Sequence, residues 1–290
     1  MSDLMRRIAL FSTDYPTEED CRLLDFCRIL ASRGFTLYAE ASLSRRLLAI
    51  DGEAPIIPFE ELPADIDLAV SIGGDGTFLR AARRAGERQI PIVGVNAGHL
   101  GFLTQYSLDE ASLMADQILA DELIPEPRLL LQVVSPSLPA DLWPYALNDV
   151  SVLKEDTASM INIDVHDNDE FLADVLADGL IISTPTGSTG YALSAGGPIL
   201  TPSVDALAIV PVAPHTLTLR PLLISASSTL SLYPSSRTGR CRVSLDGCSF
   251  PISTPAELII RRASFSLILL RRPDEGFFST LRRKLLWSRR

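Results

Sequence analysis

A chain of 290 residues with 47% hydrophobic and 21% charged residues has the composition of a folded globular protein, long enough for one large domain or two ordinary ones. Its formal net charge of −10 excludes a broad nucleic-acid footprint, which needs clustered Lys and Arg against phosphate. No apolar run reaches the roughly 18–20 residues of a bilayer span, and the N-terminal MSDLMRRIALFSTDYP is too short in apolar residues for a secretion signal, so a soluble cytoplasmic protein is expected.

Residues 7–12 (RIALFS) read as a first strand, and residues 17–34 as a helix in which Leu23, Leu24, Cys27 and Leu30 recur at helical spacing. Thr17 and Asp20 suit its start and Gly34 its stop. Residues 35–39 and 68–72 are the next strands, 77–86 is helical, 90–95 is a buried type of strand, and 108–119 is a further helix. Strand–helix alternation implies a parallel sheet with ligand sites at the carboxyl ends of its strands. The character changes at Pro125-Glu126-Pro127. Beyond it, short β-like runs at 129–134, 161–165, 180–183, 216–219, 230–233, 242–245 and 265–270 are separated by turn residues. The expected architecture is an α/β N-terminal domain with a parallel sheet (1–124) and an all-β, sandwich-like domain (125–270). A basic amphipathic tail within 271–290, with Leu281, Leu285 and Leu286 on one side, is expected to dock on the first domain. Cys21, Cys27, Cys241 and Cys248 form no CxxC pair and have no His at metal spacing, so reduced structural thiols are expected, and no metal ligand is assigned.

The strand at 68–72 runs straight into Gly73-Gly74-Asp75-Gly76 and then a helix. Glycines let the backbone approach a ligand, and amides at a helix start can hold phosphate oxygens. Asp75 stands where it can orient an attacking hydroxyl or take its proton; the competing structural reading makes it an N-cap. Only two lysines exist, Lys154 and Lys284, and neither follows a glycine-rich loop. A P-loop, a protein-kinase lysine and a GxGxxG dinucleotide fingerprint are all missing. Any phosphate moved here must be neutralised by backbone amides and a metal ion.

The richest segment is ADGLIISTPTGSTGYALSAGGPIL at 177–200, dense in small hydroxyl and glycine residues between ordered apolar flanks. Such a segment suits close contact with a polar nucleotide, with Tyr191 as an aromatic surface. GGDGTFL (73–79), NAGHLGFLT (96–104), ALNDVSV (146–152), DGLIISTPTGSTGYALSAGGPI (178–199) and PHTLTLRPL (214–222) closely resemble, in order, the motifs of bacterial NAD kinases. GGDG alone is shared with diacylglycerol-type lipid kinases and 6-phosphofructokinases; the PTGST-Y segment followed by SAGGPI discriminates between them.

The resemblance implies transfer of phosphate from ATP, or polyphosphate in some members, to the 2′-hydroxyl of the adenosine ribose of NAD. It implies a Mg²⁺-type cation and a homo-oligomer, dimer or tetramer. It makes Asp75 the proton acceptor, with Gly74 and Gly76 beside it. Asn148 and Asp149 match an Asn-Glu/Asp pair that contacts the dinucleotide. Asp178, Thr186 and the run Thr189, Gly190, Tyr191, Ala192, Leu193, Ser194 match the other nucleotide-binding positions. Three positions depart from the pattern: Gly190 replaces a common Ala, Cys248 a common Gln, and Leu176 a basic residue of some relatives. His99 and His215 lie inside resembling motifs, His99 as a loop-positioning residue and His215 as a contact to substrate or a neighbouring subunit; His166, in the acidic HDNDE, is expected to be solvated.

Overall fold

The structure, a computed structural model, describes residues 6–13, 18–98, 101–155 and 159–287. The chain divides into two compact units, Met1–Pro127 with Leu267–Arg290, and Arg128–Ser266.

Unit 1 alternates β1 (Arg7–Ser12), α1 (Asp20–Ser32), β2 (Thr36–Glu40), α2 (Ala41–Ile50), β3 (Ile57–Phe59), β4 (Leu68–Ile72), α3 (Asp75–Ala85), β5 (Ile92–Asn96), β6 (Tyr106–Ser107) and α4 (Ala111–Leu119). Its strands pair in parallel in the order β3-β2-β1-β4-β5-β6. All five residues of β4 are buried, as the continuous apolar run LAVSI requires of a strand covered on both faces. Leu23, Leu24, Cys27 and Leu30 of α1 join Ile8, Leu10, Leu37 and Val70 in one core. Gly34 stops α1 as expected: with φ +87° it lets its own amide reach Ala31 O (3.0 Å) and that of Phe35 reach Leu30 O (3.3 Å). The expected helix start at Thr17 lies outside the described residues, and the described helix begins at Asp20. Helix α2 was not anticipated, because its only buried apolar residues are Leu43 and Leu47 and the charged pair Arg45-Arg46 interrupts the pattern.

Unit 2 holds the rest of β7 (Ile124–Val134), then β8 (Tyr145–Ala146), β9 (Asp149–Lys154), β10 (Ile161–Asp167), β11 (Glu170–Ala177), β12 (Gly179–Ser183), the one-turn α5 (Tyr191–Ser194), β13 (Ala206–Val212), β14 (Leu222–Ser225), β15 (Leu230–Ser235), β16 (Arg240–Leu245), β17 (Cys248–Ser253) and most of β18 (Leu258–Arg271). One antiparallel sheet runs β14-β13-β12-β9-β16-β17; a second antiparallel set runs β11-β10-β15-β18. Inward residues of both, among them Val152, Leu180, Val243, Ile163, Leu232 and Ile260, form one core, as alternating burial along β10 and β16 dictates. The α/β unit with a parallel sheet and the antiparallel β unit match the expected fold class. After Leu285 closes α6 (Phe277–Leu285), Leu286 takes φ +55° and stands exposed.

One expected strand is absent. Residues 216–219 form an exposed turn, with Leu217 86% exposed. Ala213 (φ +43°) turns the chain away after β13, Leu219 N donates to Thr216 O, and the Arg220 guanidinium donates to the carbonyls of Leu217 and Leu219. The carbonyls a ladder would need are thus taken locally, and β-propensity without a partner strand decides nothing. His166 is also not simply solvated: it is half-buried in β10, edge-on to Phe171 and Tyr233 at 5.5 and 5.6 Å.

Candidate active site

In unit 1 the glycine turn follows from sterics. Gly73 has φ +151°, and a Cβ there would lie 2.5 Å from Thr77 Oγ1. Its amide donates to Val95 O (2.9 Å), tying the end of β4 to β5. Gly74 is the N-cap of α3, and its carbonyl accepts from Thr77 and Phe78 (3.0 and 3.2 Å). Asp75 is therefore the first helical residue rather than the cap. Its carboxylate turns to another segment, where Oδ2 accepts from Phe102 N (2.9 Å) and Oδ1 from Leu103 N (3.0 Å). Gly76 is exposed beside it, with nothing near a notional Cβ.

A cleft of about 460 Å³ opens at the carboxyl ends of β1, β4 and β5, lined by Ser12, Thr13, Gly73, Gly74, Gly98 and Glu18 among others. This is where a parallel sheet presents ligand sites, and the first turn of α3 adds amides without helical partners. Arginines, not lysines, brace the Ser12–Thr13 segment that lines it. Arg46 donates to Thr13 O and pairs with Asp20 at 3.0 Å, both side chains almost fully buried; Arg80 donates to Ser12 O and pairs with Glu40 at 2.9 Å. Sequence patterns missed both, since nothing local distinguishes such a bracing arginine from a surface one. Among the described residues no group of three His, Cys, Asp or Glu side chains is placed to cage a metal.

In unit 2 Asn148 and Asp149 enter β9 next to the turn 184–190. A Cβ on Gly187 would lie 2.0 Å from the Asn148 carbonyl, so only glycine permits this approach. Thr184 N donates to Asn148 O (2.9 Å), and the Thr184 hydroxyl donates to Leu147 O. Asp246, which the sequence reading overlooked, secures the same stretch from the β16–β17 hairpin: its carboxylate accepts from the amides of Leu147, Asn148 and Asp149 at 2.7, 2.7 and 3.1 Å. Its signal was the Asp-Gly of a two-residue hairpin, with φ +49° at Asp246 and +80° at Gly247. The Asn148 Oδ1 is buried without a hydrogen-bond partner, and Asp149 is 8% exposed. Burial, and then the charge of Asp246, push the Asp149 carboxyl up to about 7.

The hydroxyl-rich turn largely serves itself. Ser188 Oγ donates to Pro185 O (2.6 Å) and accepts from Leu200 N (2.9 Å), while Thr189 Oγ1 donates to Thr186 O (3.2 Å). Thr186 is buried and accepts from Arg128 Nη1 (3.2 Å), a buried guanidinium that sequence reasoning also missed. Gly190 precedes α5, where Tyr191 and Ser194 are exposed, Leu193 is half-buried and Ala192 is packed inside. Asp178 is not with Asn148 and Asp149. It precedes β12 at the end opposite Ser183↔Asp149, and it pairs with Lys154 at 2.6 Å. His215 is exposed, and His99 lies outside the described residues.

The chain matches two families along its length: residues 22–123 match the ATP-NAD kinase N-terminal domain and residues 147–271 the ATP-NAD kinase C-terminal domain. It is 38% identical to an NAD kinase of Bacteroides fragilis over 285 residues, covering 97% of this chain and 98% of that protein. It is 41% identical to an NAD kinase of Yersinia pestis over 263 residues, covering 90% and 89%. In fold it resembles the crystal structure of yeast NADH kinase complexed with NADH (TM-score 0.89, 22% identity, 100% of this chain and 90% of that one). It also resembles an Archaeoglobus fulgidus NAD kinase in complex with ATP (TM-score 0.73, 24% identity, 97% and 98%).

Proposed function

The chain belongs to the NAD kinase family, and on that premise we propose how its own residues carry the phosphorylation of NAD to NADP with ATP as donor. The carrying observation is Asn148, held in place by backbone contacts with its buried Oδ1 left without a partner, and the buried carboxyl of Asp149 beside it. A buried polar atom without a partner costs about 1–3 kcal/mol, a cost that a ligand's donors remove. The amino group of adenine and a ribose hydroxyl are such donors, and NAD has both. Thr186, Thr189, Gly190, Tyr191, Ala192, Leu193 and Ser194 form the adjoining nucleotide surface, with Tyr191 offering a ring. Asp178 takes part from its own end of β12.

Unit 1 handles phosphate. The triphosphate lies in the cleft bordered by Ser12, Thr13 and Gly73-Gly74, with the amides of the first turn of α3 donating to it. A Mg²⁺-type cation, when bound together with the triphosphate, would offset negative charge on its oxygens. The 2′-oxygen bonds to the γ-phosphorus as the bond to ADP breaks, and the hydroxyl proton passes to Asp75. In a loose transition state Asp75 orients the hydroxyl and takes the proton late. Four free thiols, two of them buried, suit a reducing cytoplasm.

Purified protein with NAD, ATP and Mg²⁺, coupled to an NADP-specific dehydrogenase, tests the reading; no NADP with any donor or divalent metal sinks it. Asp75→Asn is expected to lower kcat at least ~100-fold, the lower bound of general-base catalysis, while the variant still unfolds cooperatively.

A further inference from the structure

The carboxylate of Asp75 is gripped by a turn shaped around it. Residues 101–104 present two consecutive amides, Phe102 N to Oδ2 and Leu103 N to Oδ1. The turn is closed by Thr104, fully buried, whose Oγ1 accepts from Gly101 N at 2.9 Å. Gly101 has no room for a side chain: a Cβ would stand 2.0 Å from Asp75 Oδ1 and 3.0 Å from Thr104 Oγ1. The turn is also seated directly on the sheet. A Cβ on Gly94 in β5 would meet Leu103 O at 2.1 Å, and Gln105 N donates to Gly94 O at 3.0 Å. From its other side the Lys284 ammonium of α6 stands 5.8 Å from the centre of the Phe102 ring. Five features thus hold one carboxylate in place: two glycines without space for a methyl group, one buried hydroxyl and two amides.

A carboxylate accepts about four hydrogen bonds. Two amides, one per oxygen, fix its plane and leave acceptor capacity for a hydroxyl proton. Bonds to an ionised group are shorter and stronger than neutral ones, so this grip holds a single orientation against rotation of the side chain. Geometry held to within a fraction of an ångström is what proton transfer to an oriented hydroxyl requires.

We propose that the turn 101–104 is a positioning device for Asp75, in which Thr104 fixes the turn and the amides of Phe102 and Leu103 fix the carboxylate in the orientation that receives the substrate proton. The inference rests on Asp75 as proton acceptor. Thr104 acts through Asp75 and touches no substrate.

The test is a double-mutant cycle on kcat. Thr104→Val keeps the shape and removes the acceptor for Gly101 N. It is expected to lower kcat about 10-fold with KM for NAD within twofold, while Thr104→Ser stays within twofold of the parent. In an Asp75→Asn background the same Thr104→Val change is expected to cost less than twofold, because the group it positions is gone. Equal fold-losses in both backgrounds, or an unimpaired Thr104→Val, overturn the inference. An impaired Asp75→Asn beside an unimpaired Thr104→Val overturns it alone, whereas near-parental kcat for Asp75→Asn overturns the proton-acceptor reading together with the function given to the turn. Hydrogen exchange supplies a second measurement that does not need the valine variant to fold. The amides of Phe102 and Leu103 are expected to exchange at least tenfold faster in Asp75→Ala than in the parent, and unchanged protection overturns the grip itself.

Discussion

Asp149 and Asp246 share one corner of unit 2, and Asp246 is already committed to three backbone amides. Asp149 is buried beside it, and burial, then the charge of Asp246, raises it from the ordinary 3.8 to about 7. The folded protein therefore keeps a proton that the unfolded chain releases. The associated stability is complete below pH about 4 and is lost as pH rises through about 7. A shift of this size corresponds to something on the order of 4 kcal/mol. The difference in unfolding free energy between parent and Asp149→Asn, measured by denaturant titration, is expected to move in favour of the variant between pH 5 and pH 8. A pH-independent difference would mean that the carboxyl is solvated. The physical point is that Asp149 differs from the many exposed aspartates only in what covers it, and no local pattern reveals a cover.

The glycines of the nucleotide turn separate into those that sterics demands and those it does not. At Gly187 the obstacle to a Cβ is the Asn148 carbonyl at 2.0 Å, a backbone atom that cannot rotate aside; at Gly190 the nearest atom is Gly187 O at 3.3 Å. Gly187→Ala is expected to destabilise unit 2 by about 1–3 kcal/mol, the usual range for overpacking. It should also weaken NAD binding at least fivefold in calorimetry, since it displaces the stretch that carries Asn148. Gly190→Ala is expected to be tolerated. Equal effects of the two would refute the steric account. Both glycines were visible in the linear motif, but their unequal importance comes from Asn148, brought against Gly187 from some 40 residues away. The missing strand at 216–219 has the same cause: alternation of polar and apolar residues is necessary for a strand, and a partner is what makes one.

At the scale of the whole molecule, the described residues contain no helix long and apolar enough to cross a membrane, yet unit 2 leaves large apolar side chains in contact with solvent. Phe171, Leu172 and Leu176 of β11, Leu217 of the turn, and Leu222 and Leu223 of β14 are all exposed. Leu172 and Leu222 line one apolar cleft of about 250 Å³, which contains none of the residues assigned to the nucleotide. Both β11 and β14 are edge strands of their sheets, and an apolar edge left open invites pairing with another chain. Assembly of copies, which the sequence resemblance implies, would cover this surface. Light scattering is expected to give two or four times the chain mass, and the double variant Leu217→Asp, Leu222→Asp is expected to run as a monomer; a monomeric parent would refute it.

The linear pattern was sufficient for the class of each unit, because a parallel sheet covered on both faces and a sandwich with one wet face leave different periodicities. It was also sufficient for the family, because GGDG and the PTGST-Y-SAGGPI run depend on neighbours only a few residues apart. It placed Asp75, Asn148 and Asp149 in candidate roles. Everything that gives those side chains their chemistry arrives from a distance: the amides of Phe102 and Leu103 at Asp75, Asp246 beneath residues 147–149, Arg128 on Thr186, and Lys154 drawn to Asp178. Only tertiary structure decides these, since hydrogen bonding and desolvation act through space, over separations of up to about a hundred residues along the chain in these contacts. The turn at Gly73 to Gly76 was legible from the start; what holds its aspartate still was not.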